Sequence, residues 1–266
     1  MAKGNRRPVA NVVDPSQSHL PEVVETVCVE DLRRAKNQPS LAREGFALLP
    51  HRSRVTDFTD AAQLDRIHLA EAEAIVRQAT GSAHVYALPM PVLRSDDYAR
   101  IADPGLIATH PAPFVHCDYT DRSIGSTVET VLRRAGLASA PTKRVALYNV
   151  WRSLRPPPQE RPLAMCDMRT VSEADLIRAD CIGNDSTPDE DAEFYFVAPN
   201  PVHRWCYFSG MTPDEVLVFR HFDSDLPAPS GSPHVAIHDP RCPPETEPRL
   251  SIETRVCVFL EPERPQ

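Results

Sequence analysis

Between Asp60 and Ala79, apolar residues return at close to the spacing of one helical face. Leu64, Ile67, Ala70, Ala74 and Ile75 form the stripe, and Asp65, Arg66, Glu73 and Arg77 fall on the other side. Glu71 interrupts the stripe, but the pattern still predicts an amphipathic packing helix. A shorter copy runs from Ser126 to Ala135, with Ser126 available as an N-cap and Gly136 to close it. From Arg144 onward the texture changes to short β-rich runs between turn clusters. These cover 144–152, 163–171, 193–197, 205–208, 215–222, 234–237 and 250–260, a spacing that predicts a strand meander closed into a barrel or sandwich.

Composition sharpens this picture. Twenty-eight prolines against nine glycines cut the chain into short pieces and leave room for few long helices. With 266 residues, 41% hydrophobic and 25% charged, the chain reads as one ordinary globular domain over 1–266. Helical and extended elements would occupy about 1–110, and a β core about 111–262. The Pro- and charge-rich stretches Arg155–Pro162 and Gly183–Asp191 read as surface loops. No apolar run is long enough to span a membrane, and Met1–Gln17 lacks the apolar centre of a signal peptide, so the expected location is cytoplasmic. Seven scattered cysteines without a Cys-x-x-Cys pair suggest buried thiols rather than disulfides or zinc ligands. A net charge of −8 argues against a nucleic-acid partner and favours a small-molecule substrate.

The chemistry concentrates at Phe114-Val115-His116-Cys117-Asp118-Tyr119-Thr120. In an extended strand His116 and Asp118 project to one face and Cys117 to the other. Two histidines and one carboxylate on one side of a metal leave three positions open, as an enzyme activating dioxygen needs. A His-x-Asp pair alone is a weak signal, but its downstream companions strengthen it. The run Asp214-Glu215-Val216-Leu217-Val218-Phe219 is followed by a Pro/Gly/Ser loop, then Pro233-His234-Val235, then Arg249-Leu250-Ser251-Ile252-Glu253-Thr254-Arg255.

That order resembles the double-stranded β-helix oxygenases that use iron(II) and 2-oxoglutarate. Tyr148-Asn149-Val150-Trp151-Arg152, Cys166-Asp167-Met168-Arg169 and His203-Arg204-Trp205 are similar to the hydroxylase/desaturase branch with the CmcJ-, AsaB- and TqaL-type proteins. The resemblance implies a mainly β (α+β) fold with a jelly-roll, cupin-like core and flanking helices. It also implies Fe(II), 2-oxoglutarate and O2 as cofactor and co-substrates, and oxidation of an unactivated C–H bond in specialised, antibiotic-type metabolism. His116, Asp118 and His234 are then the catalytic metal ligands, with His203 left open as an alternative third ligand. Arg249 and Ser251 would grip the far carboxylate of 2-oxoglutarate. Arg255 would assist or pair with Glu253, and Tyr148, Asn149 and Arg152 would face the cavity.

Arg249, Ser251, Glu253 and Arg255 share one face at period two, which is either a buried ligand-binding face or a solvated one. His221 and His238 read as bystanders on polar turns. Two other functions stay open: an iron-dependent oxidase that does not use 2-oxoglutarate, and a cupin-like binding protein without catalysis.

Overall fold

The computed structural model describes residues 7–11, 17–20, 23–89, 91–101, 105–182 and 192–261. The expected loop at 183–191 and most of 1–17 lie outside them. Fifteen strands form among the described residues. They are β1 (Val9–Asn11), β2 (Val29–Asp31), β3 (Phe46–Pro50), β4 (His84–Ala87), β5 (Val92–Ser95), β6 (Ile107–Thr109), β7 (His116–Cys117) and β8 (Arg144–Ser153). They continue with β9 (Leu163–Cys166), β10 (Leu176–Ile182), β11 (Ala192–Val197), β12 (Trp205–Tyr207), β13 (Glu215–Asp223), β14 (His234–Ala236) and β15 (Leu250–Leu260). One sheet has eight strands in the order β1-β10-β11-β7-β14-β9-β12-β2. The other has seven, ordered β3-β13-β8-β15-β5-β6, with β4 also paired to β15. Most neighbours are antiparallel, but β1 with β10, β2 with β12 and β5 with β6 run parallel, so both sheets are mixed. The protein is mostly β with few helices.

The meander expected from Arg144 onward is present, with local differences. The run from Leu163 breaks after Cys166, because the Asp167 side chain accepts the Arg169 N–H and starts a 3-10 turn over Met168–Thr170. The run Leu176–Ile182, which reads as no element, is a strand held by β11 on one side and β1 on the other. Six short strands before residue 110 complete both sheets.

The long helix starts at Asp60, whose carboxylate accepts from the Ala62 and Gln63 N–H groups. It runs through α1 (Ala61–Gln63), a π-turn at Leu64–His68 and α2 (Leu69–Thr80), and ends at left-handed Gly81 with φ 72°. Ala72, Ile75 and Val76 pack on the outer face of the seven-stranded sheet, against Tyr148, Val150, Val216, Val218, Val256 and Val258. Glu71 breaks the apolar stripe because it is a buried anchor. It accepts from Ser53 Oγ at 2.5 Å and from the Arg54 N–H at 2.8 Å. The third helix, α3 (Ile124–Ala135), begins two residues before the expected cap, so Ser126 lies in its first turn. Ser123 takes the cap position, but its hydroxyl accepts the Thr120 N–H at 2.9 Å instead of capping the helix.

The inner faces of the two sheets pack together. Trp151, Leu217, Phe219 and Phe46 meet Leu163, Met165, Cys206 and Phe208 in a closed apolar layer. Phe46 is fully buried, with its ring edge-on to Phe208 at 6.5 Å. A Phe46→Ala substitution is expected to cost about 3–5 kcal/mol, read as a lower denaturant midpoint at an unchanged slope.

Candidate metal centre

Strands β7 and β14 are antiparallel neighbours, and His116 pairs directly with His234. Directly paired residues share a sheet face, so the two imidazoles lie side by side with centroids 4.4 Å apart. Asp118 follows β7 in a bend and turns its carboxylate to the same side. His116 Nε2 is 3.1 Å from Asp118 Oδ1, and His234 Nε2 is 3.8 Å from the same oxygen. One ligand atom from each of the three residues falls within 4.8 Å of the others, a spacing a single metal ion can bridge.

The rings are oriented by their other nitrogens. His116 Nδ1 lies 2.9 Å from the Phe114 carbonyl, and His234 Nδ1 lies 3.2 Å from the Ser232 carbonyl. A carbonyl only accepts, so each Nδ1 donates to it and Nε2 is the nitrogen left turned towards Asp118. Burial, reinforced by His116, pushes the His234 pKa down to about 3, which keeps its imidazole in the neutral, metal-binding form. For Asp118, burial works against ionisation, but His221, Arg255 and His116 outweigh it and hold its pKa well below the usual carboxylate range. Cys117 points away, as strand alternation requires. Its thiol donates to the Gly231 carbonyl at 3.7 Å and is buried, which raises its pKa.

The seven-stranded sheet contributes the facing wall. Arg255 Nη2 donates to Asp118 Oδ2 at 3.2 Å. It also lies 3.8 Å from Glu253, which pairs with Arg94 at 2.6 Å. Arg94 in turn donates to Thr109 Oγ1 at 2.7 Å. Arg249 Nε donates to Ser251 Oγ at 3.1 Å, Nη1 donates to the Arg161 carbonyl at 3.2 Å, and the guanidinium lies 5.1 Å over the Trp151 ring. Burial lowers the Arg249 pKa to about 10, so it remains a cation at neutral pH. All four side chains of this row turn into the sandwich, and Arg249, Ser251 and Glu253 are buried. Of the two readings of this face, the solvated one therefore does not hold.

Three expectations need correction. Tyr148 and Arg152 share parity with Val150, and that parity faces α2 rather than the cavity. Arg152 donates to the His51 carbonyl at 2.9 Å and to the Pro213 carbonyl, and lies 2.6 Å from His51 Nδ1. Asn149 and Trp151, of the opposite parity, face inward. His203 sits 3.2 Å from Asp175 and is not part of the metal cluster. His221 is no turn residue. It lies on β13, where the register shifts between Arg220 and Phe222, and is turned inward. Its Nδ1 is 3.1 Å from Asp118 Oδ2, though not aligned for a hydrogen bond. His238, by contrast, is exposed in a loop. The period-two row Leu217, Phe219, His221 was the signal that could have placed His221, whose ring stacks on inward-facing Phe219 at 5.0 Å.

Two mixed sheets that bring two imidazoles and one carboxylate to within 4.8 Å of one another make this a candidate metal centre. A family model described as an oxidoreductase/YMDC permease-like domain matches residues 2–259. The hydroxylase/desaturase efuI of Hormonema carpetanum is 31% identical over 253 residues, spanning 88% of this chain and 83% of that protein. The Fe(II)/2-oxoglutarate-dependent dioxygenase nvfI of Aspergillus novofumigatus is 28% identical over 202 residues, covering 75% and 69%. A solved structure of the iron and alpha-ketoglutarate-dependent endoperoxidase NvfI shares the fold. Its TM-score is 0.76 and its identity 23%, over 97% of this chain and 93% of that one. The chain belongs to the hydroxylase/desaturase family of oxidoreductases.

The buried histidines set a pH response. Burial pushes His68 and His221 down to about 4 and His234 to about 3. The unfolded chain protonates them near ~6.5. Below that value the unfolded state binds more protons than the native one, so stability falls as pH drops from about 6.5 towards 4. Each histidine contributes on the order of 1.4 kcal/mol per pH unit in that window. Thermal unfolding of the metal-free protein between pH 7 and 4.5 checks this, on the order of the window just derived. His68→Gln, still able to bond Thr254, is expected to make the fall shallower.

Proposed function

We propose that this chain is a non-haem Fe(II)/2-oxoglutarate-dependent oxygenase that hydroxylates or desaturates a small-molecule intermediate of specialised metabolism, ring formation being a third possible outcome. The observation that carries this reading is the convergence of His116, His234 and Asp118 ligand atoms within 4.8 Å of one another, with a buried Arg249–Ser251 pair at the start of β15 in the opposite sheet. His116, Asp118 and His234 would hold the iron, a two-histidine, one-carboxylate set of the kind that leaves room for a co-substrate and dioxygen. The donor set fits iron(II), since borderline imidazoles and one hard carboxylate suit it better than an all-thiolate or all-oxygen cage would.

The cleft also fits the co-substrate. Among the described residues, Asn149 Nδ2 and Oδ1, Trp151 Nε1, His221 Nε2 and Arg255 Nε are buried without hydrogen-bond partners. Native proteins seldom leave so many such atoms in one place unless a ligand completes them. Arg249 and Ser251 would hold the far carboxylate of 2-oxoglutarate by charge-assisted hydrogen bonds. Arg255 is placed to hold Asp118 rather than the co-substrate. Iron(II) with 2-oxoglutarate and dioxygen supplies the oxidising power to break an unactivated C–H bond. The chain's own residues position the reactants and exclude water. Phe114 lies edge-on to His116 at 5.3 Å and packs against Phe194 and Phe196, forming an apolar wall beside the metal.

The same reading takes the two sheets as a double-stranded β-helix within a single domain over 1–266. It places the protein in the cytoplasm with a small-molecule substrate and no nucleic-acid partner, in keeping with its net charge of −8. No helix among the described residues is long and apolar enough to cross a membrane.

An anaerobic titration with iron(II) and then 2-oxoglutarate tests the proposal, because the chelated keto acid gives a weak visible charge-transfer band. Wild type and His203→Ala are expected to show the band, and His116→Ala, Asp118→Ala and His234→Ala to lose it along with turnover. An active Asp118→Ala enzyme would sink the ligand assignment, and a wild-type protein that binds iron without the band would favour an oxidase. Arg249→Ala is expected to raise the 2-oxoglutarate requirement about tenfold to a hundredfold, the loss of roughly 1.5–3 kcal/mol.

A further inference from the structure

Asn149 is fully buried, and neither end of its side-chain amide has a partner. Its neighbours show where it faces. Asn149 pairs with Phe219 on β13 and with Arg255 on β15, so the three share one sheet face. Phe219 lies against His234, with ring centroids 4.8 Å apart, and Arg255 reaches Asp118 Oδ2 at 3.2 Å. Asn149 sits between two side chains that both touch the metal ligands, and it is polar where both neighbours are already committed.

The next inward residue on the same strand is Trp151, whose Nε1 is also unpaired and whose ring carries the Arg249 guanidinium at 5.1 Å. Two residues along a strand cover about 7 Å. The row from Asn149 past Trp151 to Arg249 therefore runs from the metal to the cation over a span that a five-carbon dicarboxylate can bridge. We propose that Asn149 is the residue that binds the metal end of the keto acid, its amide N–H donating to the carboxylate beside the iron while Arg249 holds the opposite carboxylate. This rests on the 2-oxoglutarate reading above and assigns the co-substrate's orientation within it. A buried amide left unpaired is costly in the ligand-free protein, and a bound carboxylate removes that cost.

The test uses the full-length protein loaded with iron(II) under anaerobic conditions, with two probes: 2-oxoglutarate and 2-oxobutyrate, which lacks the far carboxylate. The variant is N149L, which has the same branched four-atom side-chain skeleton without polar atoms. Its metal-free form is expected to melt at or above the wild-type temperature, since it carries no unpaired buried amide. Its dissociation constants for both keto acids are expected to rise at least tenfold and by the same factor, with a displaced charge-transfer band. By contrast, Arg249→Ala weakens 2-oxoglutarate alone.

Unchanged keto-acid affinity in N149L overturns the proposal, and so does a loss confined to 2-oxoglutarate, which would put Asn149 at the far end. A lowered melting temperature with unchanged affinity makes it a packing residue. If N149L does not fold, N149A is measured in its place for keto-acid affinity alone, with the same factor expected for both acids. A wild-type protein that binds iron but gives no band with either keto acid overturns the co-substrate reading itself, and the orientation falls with it.

Discussion

The carboxylate of Asp118 joins the two sheets, and the rest of the site depends on how its two oxygens are divided. Oδ1 faces the imidazoles of His116 and His234 on its own sheet. Oδ2 faces Arg255 and His221 on the other. An unpaired buried carboxylate would take up a proton rather than stay charged. Here the charges alternate from Asp118 to Arg255 to Glu253 to Arg94, so each buried charge has a neighbour of opposite sign. Such a chain is of little use as a source of stability, since desolvation takes back most of what pairing gives. Its value lies in geometry: with Oδ2 occupied, Asp118 is left one oxygen for a metal.

The alternation of side chains along β8 and β15 decides what faces that point. The two strands pair over ten residues, from Ser251 with Ser153 to Leu260 with Arg144. One parity, with Tyr148, Val150, Arg152, Thr254 and Val256, meets the helix layer. The other, with Asn149, Trp151, Ser251, Glu253 and Arg255, faces the opposite sheet, which carries His116 and His234. Even the outward-facing polar groups are enclosed, as His68 Nε2 lies 2.7 Å from Thr254 Oγ1 beneath the helix.

This explains which features could be read in the sequence. On β15 a period-two row of charged and hydroxyl residues marked one face as special, and the cue held because the opposite face is apolar. On β8 the last eight residues are all buried, so hydropathy gives no sign of which parity faces the cleft. Of the three residues expected to face the cavity, only Asn149 does, since Tyr148 and Arg152 lie on the opposite parity. His116 and Asp118 stand out because they are two residues apart, and His234 because its place after the β13 run and its loop matches the order of the family the sequence resembles. Their being brought together depends on the pairing of β7 with β14, a long-range contact that no local pattern encodes. The strands before residue 110 are only three to five residues long, too short for periodicity to register.

The unpaired atoms of Asn149, Trp151, His221 and Arg255 have an energetic meaning as well as a geometric one. A protein selected only for stability would fill these positions with apolar side chains of similar size, because each unpaired buried polar group costs on the order of 1–3 kcal/mol. Keeping them means that the metal-free, ligand-free fold bears a cost that disappears only when a complementary polar ligand enters. Binding and stability are then linked: a ligand that satisfies these atoms stabilises the native state beyond its contact with the metal. The donors are also fixed before the ligand arrives, held by the pairing of β8 with β13 and β15 rather than by mobile loops. Little ordering entropy remains to oppose binding, and the orientation imposed on the co-substrate is set by the sheet itself.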